Sequence, residues 1–248
     1  MITSTLAIVI FFGFIGLAVG SFLNVVIIRV PKDESISLPA SHCVTCKHPL
    51  KWYHNIPLFS WIFLGGKCAF CSEKISIQYP IIEILTTFIF VSTALQISSI
   101  AHALIISILF TMLLALSVID LKYKAVPDSI SIPALLVSLF VSDFIVSLNG
   151  ALLLAGGFAL LRIVVSWAIK REAMGEADII IAGIIGAVLG VELGLAAIYI
   201  SALIALPVFM IVKRKGYELP FIPFLALGLY ITWIFSAEVT AILRMIYG

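Results

Sequence analysis

Long apolar runs separated by short polar turns dominate this chain and leave few folds open to it. Eight runs can be drawn: 5–28, 80–98, 102–119, 130–148, 151–169, 178–190, 194–212 and 222–241. About 20 apolar residues in a helix cross the hydrocarbon of a bilayer. The runs are continuously apolar rather than alternating, which argues against a membrane β-barrel. Only 11% of the 248 residues are charged, against about 25% in a soluble domain. There is too little polar surface to face water, so lipid is the main solvent. The expectation is an all-α polytopic membrane protein of about eight transmembrane helices. The sixth run is short and Gly-rich, and seven spans is the alternative count. The first run has no basic residue ahead of Arg29 and reads as a permanent helix rather than a cleavable signal peptide.

The basic residues orient these spans. Arg29, Lys32, Lys47, Lys51, Lys67 and Lys74 lie in the segment between the first two runs. Lys122 and Lys124, Lys170 and Arg171, and Lys213, Arg214 and Lys215 lie in later turns. Together they are thirteen of the fifteen Lys and Arg residues, and eight crossings put them all on one side. That side is the cytoplasm, with both termini outside. Three parts follow: a first transmembrane helix over 1–28, a cytoplasmic loop domain over 29–79, and a transmembrane domain of about seven helices over 80–248. The net charge of +2 gives no sign of a nucleic-acid partner. Gly16 and Gly20, and Gly186, Gly190 and Gly194, have the spacing that lets helices approach closely in lipid.

Within the loop, Cys43 and Cys46 form one C-x2-C pair, and Cys68 and Cys71 a second. Two such pairs supply the four thiolates of a structural zinc site. A segment of this size has too little core to fold unaided, so a metal staple is physically reasonable. The alternatives are two disulfides or free thiols, and a reducing cytosol disfavours the first. His42, His48 and His54 are nearby substitutes for a ligand, each more naturally a surface residue.

Acidic residues at membrane depth cost about 2.5–3.5 kcal/mol each on insertion scales, so each one asks for a reason. Asp120 ends the third run and Asp178 begins the sixth. The orientation places both at the cytoplasmic edge. Two carboxylates that meet share one proton. The charged one can activate water while the protonated one polarises a peptide carbonyl. Each aspartate alone could equally be a solvated helix-end residue, and Asp178 a helix N-cap.

Local motifs separate these readings. Gly20-Ser21-Phe22-Leu23-Asn24-Val25-Val26 with Arg29 and Pro31, Asn55-Ile56-Pro57-Leu58, Ser60-Trp61, Tyr79-Pro80 with Glu83, Asp120-Leu121 with Pro127-Asp128, Met174-Gly175-Glu176-Ala177-Asp178, and Pro220-Phe221 through Gly228 occur in order along nearly the whole chain. This series resembles the type IV prepilin peptidases, aspartic peptidases of the GxGD kind in a bacterial inner membrane. The resemblance implies that Asp120 and Asp178 are the catalytic pair, with Gly175, Ala177, Glu83 and Asp128 in supporting positions. It also implies a prepilin or a type II secretion pseudopilin as substrate, cut after a Gly on the cytoplasmic side, and S-adenosylmethionine as donor for N-methylation of the new terminus. Two positions depart from the family pattern. Ala177 replaces the second Gly of GxGD, which is costly if that position needs positive φ. Ile222 replaces the Gly of Phe-Gly-Pro. The competing readings are a transporter, with Arg162 and Glu83 lining a path, and a membrane scaffold with a dead peptidase site. A basic substrate leader would find Glu172 and Glu176 beside Asp178.

Overall fold

A computed structural model describes residues 2–172, 174–212 and 219–247, all helix, turn and loop. The chain divides into two compact units, Met1–Ser107 and Ile108–Gly248.

The first unit is built on helices α1 (Ile2–Arg29) and α3 (Gln78–Gln96), with a short α2 (Phe59–Phe63) in the loop between them. α1 and α3 lie antiparallel with backbones almost touching. A Cβ on Gly16 would sit 2.7 Å from the Thr87 Cα, and one on Gly20 2.8 Å from the Glu83 Cα. One turn further, the buried Asn24 side chain donates to the Tyr79 carbonyl at 3.2 Å and accepts from Gln78 at 3.4 Å. Four residues along α1 match four along α3, as two regular helices require. The first glycine pair therefore does what its spacing suggests. At the other end, Phe12, Phe90 and Ala103 form a core, and the Thr93 and Ser107 hydroxyls bond across to α4 (Ile100–Tyr123).

In the second unit, α4 is followed by α5 (Asp128–Ser138), α6 (Phe144–Ile169), α7 (Glu176–Val212), α8 (Ile222–Ile234) and α9 (Ser236–Tyr247). Here the helix boundaries correct the sequence reading in three places. The run 130–148 is not one helix. α5 has 11 residues, about 16 Å at 1.5 Å per residue, shorter than a full span of about 20 residues. Asp143 then caps α6 by accepting the Ile145 N–H at 3.0 Å and the Val146 N–H at 3.3 Å, so α6 starts seven residues before the expected 151. The run 222–241 is divided between α8 and α9, which meet at 88°.

The third difference concerns α7. Its 37 residues contain a break at Gly190, with φ 72° and ψ −173°. A Cβ on Gly194 would lie 3.4 Å from the Ile185 side chain. Nine residues of straight helix would separate those positions by about 13 Å, so α7 turns back on itself at Gly190. The glycines at 186, 190 and 194 thus do not form one packing stripe. Gly186 meets Gly150 of α6 backbone to backbone, Gly190 makes the turn, and Gly194 packs on Leu154 and Ile185. The sixth and seventh runs are separate helical arms, as the sequence suggests. Among the described residues, and by length and apolarity alone, five helices can cross a membrane with both arms of α7 counted together, or six if α8 and α9 count as one. Lys213, Arg214 and Lys215 lie outside the described residues.

Candidate active site and metal centre

The four cysteines come together. Their sulfurs all lie within 4.8 Å of one another, and Cys43 and Cys71 are 3.8 Å apart. Four Zn–S bonds of about 2.3 Å in a tetrahedron put sulfurs about 3.8 Å apart. The two pairs are built by the same local turn. Lys47 donates its N–H to the Cys43 carbonyl, and Ser72 donates to that of Cys68. Lys47 and Ser72, each four residues after the first cysteine, both take positive φ, 60° and 58°. The Cys43 and Cys68 N–H groups close the turns on the His48 and Glu73 carbonyls. All four thiols are free, so this set can hold a metal ion. The histidines are engaged elsewhere. His48 lies on Phe70 at 3.6 Å and His54 edge-on to Phe70 at 5.4 Å, while His42 pairs with the Ala40 carbonyl at 3.0 Å.

The metal-free sulfurs hold protons unequally. The Cys46 backbone N–H draws the Cys43 thiol down to about 6, against some desolvation. Cys71 receives the Glu73 N–H, which favours its thiolate, yet desolvation and the three neighbouring sulfurs outweigh that bond and push it up to about 12. A metal must displace the protons that remain, so its affinity falls as pH falls. Purified protein is expected to keep one zinc per chain through dialysis at neutral pH and to lose it below the titration of Cys43 near 6. Elemental analysis of the dialysed protein measures this.

Asp120 and Asp178 both belong to the second unit. Asp120 lies one turn before the end of α4 and is buried. Its carboxylate accepts the Ile222 N–H at 3.3 Å. Ile222 begins α8, and a helix N-terminus favours negative charge. The donor is a backbone group, so replacing Gly by Ile at this position leaves the bond available. Asp178 is the third residue of α7. It is not an N-cap. Its carboxylate reaches back to the backbone N–H of Gly175, which is half of a capping box. The three-residue step from Gly175 to Asp178 is the step that bond needs. The two carboxylates are close enough to interact electrostatically.

Ala177 is helical and has no positive φ, and neither has Gly175. The departure at 177 therefore costs no backbone strain here. Asp128 is exposed in the first turn of α5. Glu83 belongs to the first unit, where it is buried and accepts the Leu58 N–H at 2.8 Å and a bond from Ser21. Arg162 pairs with Glu176 at 3.1 Å and approaches Glu172 at 3.8 Å. The charge on Glu176 that a basic leader would use is thus already partnered. A cavity of about 190 Å³ lined by Ile8, Phe12, Ala94 and Ala103 has no charged side chain in its wall to meet S-adenosylmethionine.

Residues 14–97 match the family model described as Bacterial Peptidase A24 N-terminal domain. Residues 107–210 match the one described as Type IV leader peptidase family. The protein named prepilin leader peptidase/N-methyltransferase in Myxococcus xanthus is 38% identical over 184 residues, 71% of this chain but only 54% of that protein. The Escherichia coli protein named type 4 prepilin-like proteins leader peptide-processing enzyme is 33% identical over 239 residues, 86% of this chain and 88% of its own length. The Neisseria gonorrhoeae prepilin leader peptidase/N-methyltransferase is 34% identical over 255 residues, covering 90% and 88%. No solved structure matches.

Proposed function

Since the chain belongs to the type IV leader peptidase family, we propose that it is a prepilin or pseudopilin peptidase in which Asp120 and Asp178 hydrolyse the leader bond. The observation that carries this reading is the pair itself. Two helix-end aspartates, far apart in sequence, interact electrostatically while each is held by a backbone N–H. In an aspartic mechanism one carboxylate is charged and one carries a proton. The charged one takes a proton from water as its oxygen attacks the scissile carbonyl carbon. The protonated one gives its proton to the carbonyl oxygen. Collapse of the tetrahedral species breaks the C–N bond, and a carboxyl proton goes to the leaving amine. No metal takes part in these steps.

The cytoplasmic placement of the site is part of the proposal, supported by the charge asymmetry of the loops, and the membrane is the bacterial inner membrane. The cysteine centre holds structural zinc, since four protein ligands leave no open coordination position. Methylation of the new N-terminus rests on the names of the relatives. No residue of this chain is assigned to it.

The test is purified protein in detergent or lipid, mixed with a prepilin and followed by mass spectrometry. Loss of the leader mass, cut after Gly, supports the peptidase reading. A further gain of one methyl group, dependent on S-adenosylmethionine, supports the second activity. An intact prepilin in every lipid and with every pilin substrate tried overturns the proposal.

A further inference from the structure

The loop of the first unit carries an apolar surface that the peptidase reading does not use. Trp52 is 79% exposed, Phe59 52%, Ile62 64% and Phe63 84%. They lie on two adjacent short helices, the 3-10 turn Trp52–Asn55 and α2. Aromatic and aliphatic groups of this size are seldom left together in water.

The hydrogen bond between Leu58 and Glu83 sets their height. α3 has 19 residues, about 28 Å of helix, and hydrocarbon is about 30 Å thick. The helix has no length to spare, so Gln78 stands at the membrane edge. Glu83 is five residues further in, about 7 Å deeper, and side chains on a helix lean toward its N-terminus. The Leu58 N–H on its carboxylate is thereby held within a few ångströms of the hydrocarbon edge. α2 begins at the next residue.

The charge pattern fits the same place. No acidic residue occurs between Glu34 and Glu73, while Lys47, Lys51 and Lys67 fall in that stretch. Apolar side chains interleaved with lysine suit an interface rich in anionic headgroups, and Trp and Tyr are the residues that favour that level.

We propose that the segment 52–63 is an interfacial anchor, lying among anionic lipid headgroups with Trp52, Phe59, Ile62 and Phe63 against the ends of the acyl chains. It tethers the cysteine centre to the membrane surface beside α3. The proposal depends on the chain spanning a membrane and not on its catalytic activity, so a failed cleavage assay leaves it standing.

The experiment uses the full chain labelled with 5-fluorotryptophan in nanodiscs of phosphatidylethanolamine and phosphatidylglycerol. The Trp52 fluorine resonance is assigned by its disappearance in Trp52→Phe. A spin label on the lipid headgroup is expected to abolish the Trp52 signal, while a gadolinium chelate in the water leaves it visible. Trp61 lies under Gly66 and donates to the Ile75 carbonyl, so its unchanged resonance reports an intact loop. In Phe63→Asp, with the Trp61 signal unchanged, Trp52 is expected to become sensitive to gadolinium. A Trp52 signal lost to gadolinium in the wild-type protein, and untouched by the lipid label, overturns the proposal. Shielding from gadolinium that arises only on adding prepilin also overturns it, in favour of a protein partner.

Discussion

Asp120→Asn and Asp178→Asn are each expected to lower leader cleavage by about a thousandfold or more, with protein yield and melting temperature near wild type. The magnitude follows from the loss of a positioned acid or base, worth about 10²–10⁴ in rate. Stability is expected to survive because asparagine keeps an acceptor oxygen. At position 120 that oxygen can still take the Ile222 N–H, and at position 178 the N–H of Gly175. What asparagine cannot do is carry the charge that activates water, or release a proton. The double variant is expected to be no worse than either single one, because the two groups act as a unit. Asp128→Asn, exposed at the start of α5, is the matched control and is expected to keep activity within a few-fold. The measurement is leader release in membranes at equal enzyme level. Cleavage that survives Asp178→Asn would remove that residue from the chemistry, whatever its place in the family motif.

The cysteine centre was readable from the chain because its ligands come as two local turns whose spacing is itself the signal. Asp120 and Asp178 stood out as candidates because acids at the ends of apolar runs are rare, and only the motif resemblance set them apart from ordinary helix-end residues. Their hydrogen-bond donors were not. Ile222 and Gly175 act through backbone N–H groups, which every residue but proline has, so no side chain marks them. Ile222 looked like a departure from the family pattern, and in the structure its amide is the one on Asp120. Helix ends were hidden for a related reason. The run 130–148 is apolar enough for one span, but Asp143 caps a new helix inside it, and hydropathy averaged over a window passes over a single cap. The spacing of Gly186, Gly190 and Gly194 suggested a packing face, and spacing alone does not distinguish a glycine that packs from one that turns the chain.

That distinction gives the second large effect, on stability. Gly186→Ala and Gly190→Ala are both expected to destabilise the second unit, for different reasons. At 186 a Cβ runs into the Gly150 carbonyl group, its carbon 2.6 Å away. The obstacle is backbone, so α6 and α7 must part, and the cost is expected at or above the ~1–3 kcal/mol usual for overpacking. At 190 there is open space around the position. There the obstacle is φ 72° with ψ −173°, a conformation essentially confined to glycine, whose imposition on alanine costs on the order of 1–3 kcal/mol. Alanine favours the helix that Gly190 interrupts, so the reversal of α7 is opposed as well. Gly156 and Gly157, exposed on α6 with nothing within 4 Å of a Cβ, are the controls. Alanine there is expected to be neutral or to stabilise by up to about 1 kcal/mol per site through helix propensity. Thermal unfolding in detergent, followed by loss of monodisperse protein, compares all four. Destabilisation at 186 and 190 with none at 156 and 157 supports the close α6–α7 contact and the turn at Gly190. Wild-type melting of Gly190→Ala would mean that α7 runs straight through this position, and Asp178 would then open a single long helix rather than a short arm that turns back.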